Sequence, residues 1–321
     1  MKEVKVKVAD KRPRDYYKDI IESCKNIKPV QTAVVHPVQA EVIEAVVDAA
    51  KEDLIVPVLI GPKARIAAAA QEAKVDIGKW ELIDVEHSHA AAAKAAELAA
   101  ACKVGAIMKG SLHTEELLGA IVPSTSGLRT VHRISHAFVM SVPTYHKALI
   151  VTDAAVNIAP DLEIKADICQ NAINLWRTLF DHELKPKVAV LAAVETVNPK
   201  MQATIDAAAL CKMAERGQIT DAVIDGPLAF DNAISRAAAE EKGIVSDVAG
   251  DADILVVPEI ESGNILAKQL TFLGGADAAG IVLGARVPII LTSRADNLRA
   301  RLMSCALAVK MSEARRTGKI K

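Results

Sequence analysis

Apolar residues follow two alternating rhythms along the first third of the chain. Short apolar runs of strand length occur at Thr32–His36, Ile55–Ile60, Glu81–Val85 and Gly105–Met108. Between them, Ala40–Lys51, Ala64–Ala73, Ala90–Lys103 and Thr114–Ile121 repeat apolar positions at helical spacing, and a further helix is predicted over Asp15–Asn26. Strands alternating with helices of about ten to fifteen residues indicate βαβ units and a parallel sheet. Right-handed crossovers then place helices on both faces of that sheet.

The pattern changes after Pro123. PSTSGL reads as a turn-rich linker, and two apolar runs follow close together, Ala137–Val142 and Ala148–Thr152, with only PTYHK between them. That spacing predicts a hairpin, hence an antiparallel element at the start of a second domain. Strands are then predicted at Val188–Ala193, Ala222–Asp225, Ile254–Val257 and Pro288–Leu291, and a helix at Met201–Ala214. The last strand leads into an amphipathic helix over Asn297–Val309, with Leu298, Leu302, Cys305 and Val309 on one face.

Composition narrows the classes. At 321 residues the chain exceeds the usual size of one hydrophobic core, so two domains are expected. Hydrophobic residues make up 51% and aromatics 3%, so the core must be built from Ala, Val, Ile and Leu. Formal net charge is −1 with no long run of one sign, which argues against broad attraction to nucleic acid or anionic membrane. Five dispersed cysteines without a CxxC pair read as reduced thiols. The charged N-terminus lacks the apolar core of a signal peptide, and Ala278–Thr292 is too short to span a bilayer. A soluble cytoplasmic protein is expected.

In open α/β sheets, ligands bind at the carboxyl ends of strands beside helix N-termini. Four strand ends carry candidate chemistry. In PIILTSRADNLRARL, Ser293 offers a hydroxyl, Arg294 a two-pronged donor and Asp296 an acid; the same residues also suit a helix cap and a surface charge. In the segment from Lys109 to Glu116, Ser111 or Thr114 can cap a helix, and His113 is a candidate contact or base as well as an ordinary loop histidine. In the segment from Pro258 to Asn264, Glu261, Ser262 and Asn264 can rim a polar ligand. Asp225-Gly226-Pro227 reads as a turn. There is no P-loop, no GxGxxG after a strand, no GxSxG, no HExxH and no zinc-like ligand set, so no metal is expected. His132 and His136, placed in a predicted strand, read as structural.

Taken in order, KGSLHTEELL, GLRTVHRISHAFVMSVPTYHKALIVTDAAVNIAPDLEIKADICQNAI, ITDAVIDGPLAFDNAIS, DILVVPEIESGNILAKQL and GGADAAGIVLGARVPIILTSRAD resemble the phosphate acetyl/butyryltransferase family. The resemblance covers the chain from about Thr32 onward. It is strongest to butyryltransferase-like members and to the transferase half of bifunctional enoyl-CoA hydratase/phosphate acetyltransferase proteins. The residues before Thr32 are too few for a hydratase domain.

The resemblance implies an α/β fold of two αβα domains of the isocitrate/isopropylmalate dehydrogenase-like type, with the active site in the interdomain cleft. The domains would be 1–131 plus 286–321, and 132–285, assembled as a homodimer. The implied reaction is reversible: acyl-CoA and phosphate give acyl phosphate and coenzyme A in a ternary complex. Coenzyme A is then a substrate and no cofactor is bound. By the same resemblance Ser293 donates to the reacting centre and Arg294 binds the phosphoryl group. Ser111, His113, Thr114, Arg133, Glu261, Ser262 and Asn264 are the implied substrate contacts. Acetyltransferase members carry an aspartate seven residues beyond that serine, where this chain has Ala300, so Asp296, another group, or entry of coenzyme A as thiolate must answer for the proton. They also carry an arginine where this chain reads Leu117-Leu118-Gly119; Arg129 and Arg133 are the nearby cations. Two rival readings remain: a non-catalytic regulator binding acyl phosphate or coenzyme A, and an NAD-dependent hydroxyacid dehydrogenase on a related fold.

Overall fold

The computed structural model describes residues 15–291 and 297–320. The first-half elements are α1 (Tyr16–Ser23), β1 (Val30–Val35), α2 (Ala40–Lys51), β2 (Ile55–Gly61), α3 (Lys63–Glu72), β3 (Glu81–Asp84), α4 (Ser88–Ala100), β4 (Ala106–Lys109) and α5 (Thr114–Ile121). Each lies within a few residues of its expected span. The expected hairpin is β5 (Ser135–Ser141) and β6 (Leu149–Thr152), paired antiparallel. There follow α6 (Leu162–Leu179), β7 (Lys187–Leu191), α7 (Gln202–Glu215), β8 (Val223–Leu228), α8 (Phe230–Ile234), α9 (Arg236–Glu241), β9 (Ile254–Val256) and α10 (Ile260–Phe272). The chain closes with β10 (Asp277–Leu283), β11 (Ile289–Leu291) and α11 (Leu298–Arg316).

Among the described residues these strands form one sheet in the order β3-β2-β1-β4-β11-β10-β5-β6-β9-β7-β8. The flank from β3 to β11 is parallel, as is the flank from β6 to β8. Antiparallel pairings of β11 with β10, β10 with β5, and β5 with β6 join the two, so the flanks run in opposite directions. The fold is therefore a mixed α/β fold built on one large sheet.

Several local expectations are corrected. Asp225-Gly226-Pro227 is not a turn: it lies inside β8, an edge strand, where a proline lacking its N–H leaves no inner partner unsatisfied. His132 precedes β5 and pairs with Asp167 of α6 at 2.9 Å, so the two histidines do not share a strand. Neither Ser111 nor Thr114 caps α5; its cap position is His113, whose side chain makes no capping bond. The cap of α11 is Asn297, which accepts the Ala300 N–H at 2.8 Å. Both α6 and β10 lie outside the expected strands and helices. The β10 sequence opens Asp-Ala-Ala-Gly, residues with little strand preference, and its place is fixed by strands on either side.

The core sits differently on the two faces. On one face a single apolar cluster runs the width of the sheet, from Leu59 and Val34 through Met108, Ile290, Ile281 and Val139 to Ile254 and Val188. It is covered by α1, α2, α3, α6, α7 and α11. On the opposite face the core is split. One cluster joins α4 and α5 to Val35, Ile107, Ile289 and Val282; a second joins α8 and α9 to Met140, Val151, Leu255 and Leu191. The gap between these two clusters falls over β10 and β5.

Candidate active site

A cavity of about 370 Å³ occupies that gap. Its floor is a row across the sheet fixed by strand register. Ile290 pairs with Met108, so Leu291 lies beside Lys109; Leu291 pairs with Gly280, and Gly280 with Phe138. Lys109, Leu291, Ala278, Phe138 and His136 line this floor. Thr114 at the start of α5 and Asn297 and Ala300 at the start of α11 line the cavity from one side. Asn264, Ala267, Lys268, Thr271 and Phe272 of α10 line it from the other. The carboxyl ends of β4 and β11 thus open toward two helix N-termini, the arrangement that favours anions in open α/β sheets.

Charge is unevenly placed around it. Lys109 and Lys268 are cationic lining residues. The lining acid, Asp277, is engaged: it accepts from Asn297 Nδ2 at 3.1 Å and pairs with Arg299 at 2.8 Å. Arg299 also pairs with Asp15, and its guanidinium stands 5.3 Å from the Tyr17 ring centre. These contacts fix the start of α11 against β10 and α1.

His136 is the unusual group of the floor. It is 1% exposed, and its ring stands edge-on to Phe138 with centroids 4.4 Å apart. Its Nδ1 is buried without a hydrogen-bond partner among the described residues. Burial holds the imidazole well below its usual range; the Asp153 carboxylate pulls weakly the other way. Asp153 itself, just after β6, is fully engaged, accepting from the N–H groups of Ala155, Val156 and Asn157 and from the Asn157 amide. A Cβ on Gly280 would stand 3.0 Å from His136 Nε2 and 3.0 Å from the Leu291 carbonyl oxygen. Glycine there lets the imidazole lie down against the end of β11.

The expected site residues are distributed as follows. Ser293, Arg294 and Asp296 lie outside the described residues, although Leu291 and Asn297, which bracket that segment, both line the cavity. Thr114 and Asn264 line it. Ser111 is on the adjoining turn, its Oγ buried without a partner among the described residues. His113 is exposed. Arg133 is exposed before β5, its N–H bonded to Asp167 and its carbonyl to Asn171. Glu261 is exposed in the first turn of α10, and the Ser262 hydroxyl donates to the Glu259 carbonyl. Arg133, Glu261 and Ser262 are not among the lining residues. Lys109, His136, Phe138, Lys268 and Asn297 line the cavity and were not singled out as site residues; a lone histidine two residues from Phe138 on an otherwise apolar strand was the available signal for His136. Among the described residues no cluster of metal-ligating side chains occurs, and no helix is long and apolar enough to cross a membrane.

Residues 89–309 match the family model described as "Phosphate acetyl/butaryl transferase". The chain is 58% identical over 293 residues to a phosphate acetyltransferase of Rickettsia felis, covering 91% of this chain and 84% of that one. It is 55% identical over 304 residues to a phosphate acetyltransferase of Rhizobium meliloti, covering 95% and 96%. Among solved structures, a branched-chain phosphotransacylase from Enterococcus faecalis V583 superposes with a TM-score of 0.76 at 30% identity, covering 88% of this chain and 99% of that one.

Proposed function

The chain belongs to the phosphate acetyl/butyryltransferase family, acyltransferases that exchange an acyl group between coenzyme A and phosphate, and from that premise we propose that acetyl is its preferred group. The observation that carries the placement of the chemistry is the cavity itself. It lies at the carboxyl ends of β4 and β11, and the residues on either side of the Thr292–Asp296 segment both line it. The preference for acetyl is supported by relatives at 55–59% identity that are phosphate acetyltransferases.

In this reading coenzyme A enters as a substrate, not as a bound cofactor. Arg294 binds the phosphoryl group bidentately and Ser293 donates at the reacting centre, with Lys109 and Lys268 adding positive charge. Thr114 and Asn264, on opposite sides of the cavity, hold the two substrates in one geometry, which supplies much of the rate. The cleft divides two lobes, 1–131 plus 286–321 and 132–285; the two apolar clusters that flank the gap support this division, with Ile134, Val282 and Ala285 of the second lobe packing into the cluster of the first. The enzyme works in the cytoplasm as a homodimer, which sedimentation of the purified chain tests.

The deciding experiment is phosphate-dependent release of coenzyme A from acetyl-, propionyl- and butyryl-CoA, with Arg294→Ala as control. Turnover is expected to be fastest with acetyl-CoA and to drop by about a hundredfold or more in the variant. Binding of coenzyme A without turnover would instead establish a regulator.

A further inference from the structure

We propose that His136 is a catalytic hydrogen-bond donor of this site, presenting its neutral Nε2–H to the carbonyl oxygen of the acyl group in transfer. The inference rests on the acyl-transfer reading above and adds to it a residue on the cleft floor.

Three observations converge. First, His136 is 1% exposed yet lines the cavity, and its Nδ1 has no partner among the described residues. Second, the ring is aimed. The vacant Cβ position of Gly280 lies 3.0 Å from His136 Nε2, so Nε2 stands over Gly280, the residue paired with Leu291. Third, the surroundings settle the tautomer and the charge. A bare, partnerless Nδ1 is easier to bury than a partnerless N–H, which puts the proton on Nε2. Phe138 packs edge-on against the ring, and Asp153 is saturated by its own loop.

The alternative role, general base toward the thiol, is disfavoured by magnitude. An ordinary imidazole, with a pKa of about 6.5, suits general-base work near neutral pH. Burial here pulls His136 well below that range and leaves it a poor base toward a thiol. A neutral imidazole in a dry site is better suited to donate to a developing oxyanion.

The step balances without a proton passing through His136. The coenzyme A sulfur adds to the acyl phosphate carbonyl, forming the C–S bond, and the π pair moves onto oxygen. That oxyanion accepts the Nε2–H bond. Collapse restores the carbonyl and breaks the bond between carbon and the bridging oxygen. Phosphate leaves with that pair and takes up the thiol proton as hydrogen phosphate.

The test uses the full chain with acetyl-CoA and phosphate. His136→Leu, close in volume but without a donor, is expected to lower kcat by about a hundredfold to a thousandfold with KM changed by less than threefold. His136→Gln, which keeps an N–H near the Nε2 position, should recover at least tenfold of that loss. Gly280→Ala, which presses a methyl against the imidazole, should lower kcat in the same direction. An inactive wild-type chain overturns the acyl-transfer reading and this inference with it. An active wild type with His136→Leu within threefold of it overturns this inference alone, as does equal loss in the Leu and Gln variants. Should His136→Leu not fold, full activity in Gly280→Ala overturns it.

Discussion

Gly263 shows how single contacts around the cleft are decided by magnitude. It lies inside α10, where replacing glycine with alanine ordinarily gains about 1 kcal/mol. Here an added Cβ would stand 2.7 Å from Val257 Cγ2 and 2.8 Å from the Asp153 carbonyl oxygen. The backbone contact cannot yield cheaply, and overpacking of this kind costs about 1–3 kcal/mol. Gly263→Ala is therefore expected to destabilise the protein by about 1–2 kcal/mol in urea unfolding; a gain in stability would show that α10 shifts freely against the Asp153 loop. The sequence offers Asn264 as a rim residue but no role for Gly263, because nothing local reveals that residues 153 and 263 meet. His136 was hidden in the same way. Its two-residue spacing from Phe138 was legible, but its isolation depends on Gly280, which lies far along the chain and only register brings beside it.

At the level of elements, a polar cluster sits at the amino ends of β6, β7 and β9, where two lysines and a histidine converge on one acid. Asp251 accepts from Lys187 at 2.6 Å and His146 at 2.8 Å and pairs with Lys147 at 3.0 Å. Asp253 takes Lys147 and the Lys187 N–H, so the β5–β6 turn, β7 and β9 are tied together. Burial alone would raise the Asp251 pKa, yet the bonds from Lys187, Lys147 and His146 outweigh it and hold the carboxyl well below the usual range. A depressed carboxylate stabilises the fold fully above its unfolded value, about 3.9, and the contribution is lost as pH falls through the folded value. The urea midpoint of Asp251→Asn should therefore lie below that of the wild type at pH 7 and at pH 5. The difference should shrink below about pH 4. A difference that stays constant down to pH 3 would exclude this linkage. The alternation of strands and helices up to α5 was legible because each element carries its own periodicity. By contrast β10 and the Gly226-Pro227 continuation of β8 were not, since Gly, Ala and Pro there are placed by neighbouring strands rather than by preference. The candidate site was legible in Thr114 and Asn264; Glu261 and Ser262, named from the same strand end as Asn264, and Arg133, named by resemblance, are not among the lining residues.

For the whole molecule, the unequal faces of the sheet bear on cooperativity. The split face leaves the cleft between two separate clusters, an arrangement in which two lobes could melt independently. The opposite face carries one continuous core across all of the flanks, with α11 packed against α1, α2 and α6. Burying a Leu or Ile side chain contributes about 1.5–3 kcal/mol, so opening either flank alone would expose many such groups on the shared core. The continuous face should therefore dominate, and the chain should unfold as one unit despite its length. The two tryptophans make this measurable. Trp80 packs beside the first flank and Trp176 lies in α6 over the second, both against that shared core. Single-tryptophan variants, Trp80→Phe and Trp176→Phe, should report the same urea midpoint. Coenzyme A at a hundred times its dissociation constant should raise both midpoints together, by the equivalent of about 2.7 kcal/mol. Two separated midpoints, or a ligand shift confined to one tryptophan, would mean that the lobes are independent and that the shared face is too weak to couple them. Coincident midpoints would mean that closing the cleft on one side of the sheet is worked against a rigid support on the other.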